Sequence, residues 1–146
     1  MNLNWCKDFC ISAAVAMLAF NVEAATVTVT VQGVKANLGN SLYATLYCGA
    51  STWLDPAQAA GNAQVAVTAE TLVFRFENVA SGGCAMSLYH DENGNGTLDI
   101  LKGPMPIPTE GLAVSNNAFR FGPPKYKEAE FFVKEPGVSL PVKMKY

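Results

Sequence analysis

The residues best suited to chemistry lie in one short polar stretch, residues 91–99. Oxygen-bearing side chains occupy alternate positions there, at Asp91, Asn93, Asn95, Thr97 and Asp99. Gly96 stands at the sixth position counted from Asp91. Calcium loops place their ligands at this spacing and use a glycine at the sixth position for a sharp turn. The stretch therefore predicts a Ca²⁺ site formed by the Asp91, Asn93, Asn95 and Asp99 side chains and the Thr97 carbonyl.

The stretch departs from an EF-hand at its end and at its flanks. The twelfth position should bring a bidentate glutamate, but Lys102 stands there, and neither flank has a helical pattern. Because only Asp91 and Asp99 contribute ligand charge, we expect weak affinity, on the order of 10⁻⁴–10⁻³ M. A second interpretation stays open, in which the Asp and Asn side chains cap their own backbone and the glycines supply positive φ.

Catalytic chemistry has little support in the sequence. The chain has one histidine, His90, and a lone histidine at a strand end is more often structural than catalytic. No nucleophile elbow, phosphate-binding loop, dinucleotide glycine pattern or zinc-protease motif occurs. We therefore expect a protein that is not an enzyme. The alternative is a small periplasmic hydrolase or lyase that uses His90 with Asp91 and Asp99.

The N-terminus has the layout of a secretory signal peptide. Residues 10–20 form an apolar run of eleven residues, and Val22 and Ala24 are the small residues expected at the −3 and −1 positions of a cleavage site. The run is shorter than the ~20 residues needed to cross a bilayer. We therefore expect residues 1–24 to be a signal peptide and residues 25–146 to be one domain. The product would be periplasmic or secreted, without a membrane span after cleavage.

The charge balance argues against two classes of partner. The formal net charge of −2 becomes −1 when Lys7, Asp8 and Glu23 leave with the signal peptide. Near-neutral charge without basic clusters argues against binding to nucleic acid or to an anionic membrane surface.

Two cysteines remain after cleavage, Cys48 and Cys84. Two cysteines in an exported chain favour a disulfide, although two buried free thiols are the alternative. Cys48 ends one predicted strand and Cys84 begins another. If these strands are antiparallel neighbours, both sulfur atoms lie at the same end of the sheet, within bridging distance.

Alternation of apolar and polar residues predicts the strands. The alternating segments are residues 26–31, 42–48, 72–77, 84–90 and 138–144, with shorter candidate strands at 64–68 and 127–133. Residues 91–124 are predicted to be a long loop, since its prolines lack backbone donors, and Phe119 and Phe121 indicate that it is ordered. Pro141 lies on the outer face of the last strand, which favours an edge position. The pattern predicts an all-β, antiparallel, immunoglobulin-like sandwich of about seven strands.

Aromatic residues offer a possible binding surface. Trp53, Tyr43 and Tyr47 could bind an unidentified protein or glycan partner. They could instead cover a sheet face or fill a second core layer. Nothing in the sequence predicts the oligomeric state.

An ordered series of short motifs carries a family resemblance. The motifs occupy residues 90–99, 108–111, 115–117, 122–124 and 129–131. Together they resemble the bacterial family called domain of unknown function 2141. The resemblance implies an exported β-sandwich similar in layout to transthyretin-like modules, and it implies no activity. It also suggests that His90, Glu110, Ser115 and Asn116 pack beside the 91–99 loop. We therefore expect a non-enzymatic accessory or binding module of the bacterial cell envelope.

Overall fold

A computed structural model describes residues 24–146 of the protein. The predicted signal peptide, residues 1–24, lies outside the described residues except for Ala24. Within the described part the helices are short: one α-helix of four residues and several 3-10 turns. None of the described helices has the length and apolar character needed to cross a membrane.

The described chain is built mainly from strands. They are β1 (Ala24–Gln32), β2 (Ser41–Tyr47), β3 (Gly61–Ala66), β4 (Thr71–Ala80), β5 (Gly82–Asp91), β6 (Ile100–Leu101), β7 (Ile107–Pro108), β8 (Leu112–Val114), β9 (Phe131–Val133) and β10 (Gly137–Lys143). The helix α1 (Tyr126–Ala129) precedes β9.

Two sheets pack face to face. One has the strand order β10-β1-β4, and the other has the order β3-β2-β5-β8, with β9 pairing to the start of β5. A two-stranded hairpin, β6-β7, lies outside both sheets. The all-β sandwich predicted from the sequence is thus confirmed.

The core forms because each strand turns alternate side chains to the facing sheet. Val27, Val29 and Val31 of β1 are fully buried, while the threonines between them are half-buried. They share one apolar cluster with Phe74 of β4 and Leu88 of β5, which lies in the other sheet. Each such side chain contributes roughly 1.5–3 kcal/mol when fully buried.

The sheet that contains both ends of the domain is not purely antiparallel. β10 pairs with β1 in parallel, with Leu140 beside Val29, whereas the sequence predicted antiparallel strands throughout. The chain after β9 returns to the start of β1, where the Thr26 amide donates to the Pro136 carbonyl at 3.2 Å. β10 therefore enters in the same direction as β1. Among the described strands, β10 pairs with β1 alone, which confirms the edge position predicted from Pro141.

The C-terminal half is more structured than predicted. Residues 91–124 contain β6, β7 and β8, and the strand predicted at 127–133 is divided into α1 and β9. The division follows from the partners available along β5. Its residues 87–89 pair with β8, and its residues 82–84 pair with β9. Only three residues of the predicted strand therefore have a β5 partner.

The disulfide is confirmed. Cys48 and Cys84 are bonded, with an S–S distance of 2.03 Å and a Cα–Cα distance of 4.0 Å. The antiparallel register places Tyr47, the last residue of β2, opposite Ala85 of β5, so Cys48 just after β2 meets Cys84. The bridge therefore joins the two central strands of the larger sheet at one end.

Removing this bridge should lower stability substantially. The bridged residues are 36 positions apart, and a loop of that length restricts the unfolded chain by about 4 kcal/mol. We expect the Cys48→Ala/Cys84→Ala variant to lose about 3–4 kcal/mol of unfolding free energy in urea denaturation. Reduction of the unmodified protein should give a similar loss. A loss below about 1 kcal/mol in both cases would contradict the role assigned to the bridge.

Candidate functional site

The 91–99 loop closes around the carboxylate of Asp91. This side chain is 2% exposed. Its Oδ1 accepts hydrogen bonds from the amides of Gly94 at 2.8 Å and Asn95 at 3.0 Å, and its Oδ2 accepts one from Gly96 at 2.8 Å. Backbone donors bonded to an ionised acceptor make strong hydrogen bonds. Asp91 therefore fixes the first turn of the loop.

The remaining polar side chains of the loop also bond within it. The side-chain amides of Asn93 and Asn95 donate to Oδ2 of Asp99, at 2.5 and 3.0 Å. Oδ1 of Asn95 accepts from both the amide and the hydroxyl of Thr97. Gly94 and Gly96 have φ values of 75° and 79°, which glycine adopts readily. The loop is thus ordered by its own hydrogen bonds.

These contacts bear on the predicted ligand set. Asp99 lies close to Asn93 and Asn95, whereas both oxygens of Asp91 face amides of the backbone. In residues 24–146, no group of three or more histidine, cysteine, aspartate and glutamate side chains is arranged to hold a metal ion. A cation in this loop would have to be coordinated largely by amide and carbonyl oxygens.

Glu110 holds both ends of the loop. Its side chain is 7% exposed. Its Oε1 accepts from the Glu92 amide at 2.9 Å, and its Oε2 accepts from the Asp99 amide at 3.0 Å. In return, Oε1 of Glu92 accepts from the Gly111 amide at 2.8 Å. This reciprocal pair joins the loop to the segment that leads into β8.

Negative charge is concentrated around the loop. Asp91, Glu92, Asp99 and Glu110 contribute four carboxylates. Within the described residues, the salt bridge found joins Arg120 to Glu128, and no basic side chain pairs with these four. Backbone donors therefore compensate for much of the lost hydration.

His90 lies in the interior beside the base of the loop. It is fully buried. Its Nε2 lies 2.7 Å from the Gly39 carbonyl, which can only accept, so Nε2 carries the proton. Its Nδ1 lies 2.8 Å from the Tyr146 hydroxyl, which in turn accepts from the Lys35 amide at 2.9 Å. Both ring nitrogens therefore have structural partners.

Ser115 and Asn116 lie away from the loop. The Ser115 hydroxyl accepts from the Met86 amide at 2.9 Å and donates to the Ala129 carbonyl at 2.6 Å. The Asn116 side chain donates to the Glu130 carbonyl at 2.7 Å. Ser115 therefore joins β5 to α1, and Asn116 bonds to the residue between α1 and β9. Of the four residues that the resemblance grouped beside the loop, the structure brings Glu110 into hydrogen-bonding contact with it.

The aromatic side chains form a second layer on the outer face of the larger sheet. Tyr43 stacks on Tyr89, with ring centroids 5.0 Å apart, and Trp53 contacts Tyr47 and Tyr126 edge to face. Trp53 also donates to the Pro124 carbonyl at 2.8 Å. Burial raises the pKa of Tyr47, Tyr89 and Tyr126. Trp53 and Tyr47 therefore cover the sheet face, as the second interpretation of the sequence proposed.

A large apolar cleft lies beside this layer, and no pattern in the sequence predicts it. The cleft has a volume of about 550 Å³. Ser87 and Tyr89 of β5 and Leu112 and Val114 of β8 face it from the sheet. Two covering segments form its sides, residues 98–108 and residues 118–124. The apolar residues within the predicted loop were the available signal, but they lack the periodicity that would assign them to one surface.

The cleft has an exposed apolar rim and one charged side chain. Phe121 is 80% exposed, Ile107 57% and Met105 49%. Among the described residues that line the cleft, Arg120 is the one that is charged at neutral pH. Its guanidinium lies 4.0 Å from the Glu128 carboxylate, the outer limit of an ion pair between exposed groups. Pockets of this size with mostly apolar walls and few polar groups are typical of small-molecule sites.

Replacing Glu110 should loosen the loop. Glu110→Ala removes the acceptors of two amides, and we expect a loss of about 1–3 kcal/mol in unfolding free energy. Hydrogen exchange at the Glu92 and Asp99 amides should become faster than in the unmodified protein. Glu110→Gln keeps one acceptor oxygen and should lose less. Glu77→Ala, an exposed change on β4, is the control, and unchanged exchange at both amides in Glu110→Ala would contradict the assignment.

Comparison with known proteins gives a family and no activity. Neither the curated proteins nor the solved structures contain a match to this chain. A family described as "uncharacterized protein conserved in bacteria (DUF2141)" matches residues 29–140, which include nearly all of the sandwich, the 91–99 loop and the cleft. The chain therefore belongs to this bacterial family, domain of unknown function 2141.

Proposed function

We propose that this protein is an exported, non-enzymatic binding module of the bacterial cell envelope, and that the apolar cleft is its binding surface. The cleft is the observation that carries the proposal. A concave site of this volume with mostly apolar walls and few polar groups is where proteins usually bind small ligands. Its sides come from residues 98–108 and 118–124, within the segment where the family motifs are concentrated.

A binding role fits the polar residues better than catalysis does. His90 is buried and bonded through both ring nitrogens. Asp91 is engaged by three backbone amides. The Asp99 carboxylate accepts two side-chain amides. A general acid or base must reach the substrate proton, and these groups are instead committed to the fold.

Export is supported by two independent features. The N-terminal apolar run and the small residues before position 25 have the layout of a signal peptide. The Cys48–Cys84 bridge is of a kind that persists in oxidising compartments such as the periplasm.

Cell fractionation and capture test this function together. We expect the protein in the periplasmic or secreted fraction, with an intact mass that corresponds to a chain starting at Ala25. Immobilised protein should retain an envelope component, and Phe121→Ser should retain several-fold less of it. Phe132→Ser is the matched control, because Phe132 is also highly exposed, at 71%, but does not line the cleft.

Two results would contradict the proposal. One is a cytoplasmic protein that keeps its first 24 residues. The other is equal retention by the unmodified protein and Phe121→Ser, which would remove the cleft as the binding surface.

We also propose that Ca²⁺ stabilises the 91–99 loop, with Asp91, Asn93, Asn95, Thr97 and Asp99 as ligands. Asp91, Glu92 and Asp99 belong to this loop and Glu110 bonds to it, and none of the four has a basic partner among the described residues. A divalent cation would offset this negative charge. The Asn93 and Asn95 side chains would have to turn their oxygens toward the ion, because their amide nitrogens face Asp99 in the present arrangement. Asp91 would have to contact the ion through the lone pairs that its three backbone amides leave free.

Thermal melting tests the calcium proposal. With a dissociation constant of about 1 mM, 10 mM CaCl₂ should stabilise the protein by ~1.4 kcal/mol. That corresponds to an increase of about 3–6 °C in Tm. Asp99→Asn should abolish the increase, and Glu77→Gln should keep it. An equal increase with MgCl₂, or none with CaCl₂, would exclude a calcium-selective loop, since Mg²⁺ requires a tighter octahedral site.

A further inference from the structure

We propose that the cleft binds one long-chain fatty acid, with its acyl chain against β5 and β8 and its carboxylate at Arg120. This inference deepens the proposed function by naming the ligand class, and it rests on the cleft being the binding surface. Three properties of the cleft support it: its volume, its apolar walls and the position of its one charge.

The volume suits a single acyl chain. The cleft has a volume of about 550 Å³ and is open to solvent along its rim. A methylene group needs about as much space as a water molecule in the liquid, ~30 Å³. The cleft therefore holds a chain of roughly 14–18 carbons. Two such chains, as in a diacyl lipid, would need about twice this volume.

The walls favour an acyl chain over a peptide. Side chains from Leu98, Ile100, Met105, Leu112 and Val114 give the cleft an almost wholly apolar lining. A peptide would bring backbone donors and acceptors that need partners, and burying them without partners costs free energy. Peptides usually meet this need by pairing with an exposed sheet edge. The edge of β8 at Leu112 is already bonded in both directions to Lys145, at 2.7 Å.

The charge favours an anionic headgroup. Arg120 lines the cleft, and its contact with Glu128 is a long one between two exposed side chains. Such a pair contributes little, so the guanidinium can exchange it for a ligand carboxylate and bind both oxygens. A second cation lies nearby, because the Lys145 ammonium is 4.3 Å from the ring centroid of Phe119, another lining residue.

Calorimetric titration with saturated fatty acids tests the inference. The protein is purified from whole cells, so that the assay does not depend on where it resides, and is stripped of lipid. Decanoate, dodecanoate and tetradecanoate are titrated below their micelle concentrations. We expect one site per chain and an affinity that increases roughly fourfold for each added methylene, the increment expected for burying one such group.

Two pairs of variants locate the ligand. Phe121→Ser should weaken tetradecanoate binding about tenfold through lost apolar contact, while the control Phe132→Ser should not. Arg120→Gln should weaken it about three- to tenfold. The control is Arg75→Gln, on β4, which changes the chain's other arginine and should leave tetradecanoate affinity unchanged. Methyl tetradecanoate has no charge, so its affinity should be the same for the unmodified protein and Arg120→Gln.

Several outcomes would overturn the inference. They are no binding by any of the three acids, affinity that does not depend on chain length, or binding that Phe121→Ser leaves unchanged. Saturable binding of an apolar peptide that Phe121→Ser abolishes, without fatty-acid binding, would overturn the acyl ligand and leave the binding module standing. Self-association that Phe121→Ser abolishes, without fatty-acid binding, would instead assign the cleft to a second copy of the chain. A cytoplasmic location with normal fatty-acid binding would overturn the proposed export and leave the ligand assignment.

Discussion

The antiparallel pairing of β2 with β5 is the constraint on which the other features depend. The ladder runs without a break from Ser41 opposite Asp91 to Tyr47 opposite Ala85. At one end it brings Cys48 and Cys84 together. At the other end it places the start of the 91–99 loop beside the turn before β2, where the Asn40 side chain donates to the Glu92 carbonyl at 2.7 Å. A register shift of one residue would disrupt both ends, because it exchanges the two faces of the strand.

The alternation of β5 also explains why the domain has a second layer. Met86 and Leu88 face the sandwich core, whereas Ser87 and Tyr89 face outward. An outer sheet face with apolar neighbours from β8 has to be covered. Trp53, Tyr126 and residues 118–124 cover one part of it. Residues 98–108 lie over another part of this face but leave a gap between themselves and the sheet. That gap is the cleft.

The sequence predicted those parts of the fold that follow from local periodicity. Val27, Val29 and Val31 alternate with threonines, so strand and buried face could both be assigned. The Cys48–Cys84 pair followed from strand parity and compartment. The parallel pairing of β10 with β1 could not be predicted, because it joins distant segments with similar patterns. The cleft could not be predicted either, since Leu98, Ile100 and Met105 have no regular spacing and come together only through long-range packing.

The polar loop and the apolar cleft are parts of one arrangement. Tyr89 lines the cleft and donates its hydroxyl to the Gly96 carbonyl of the loop at 3.1 Å. The side formed by residues 98–108 begins where the loop ends, and Glu110 fixes that point through the Asp99 amide. Because the loop is held by hydrogen bonds at both ends, the wall that follows it starts from a fixed position. A preformed wall would reduce the ordering cost of the binding proposed for the cleft, and the polar motifs of this segment would then support that binding by fixing the wall.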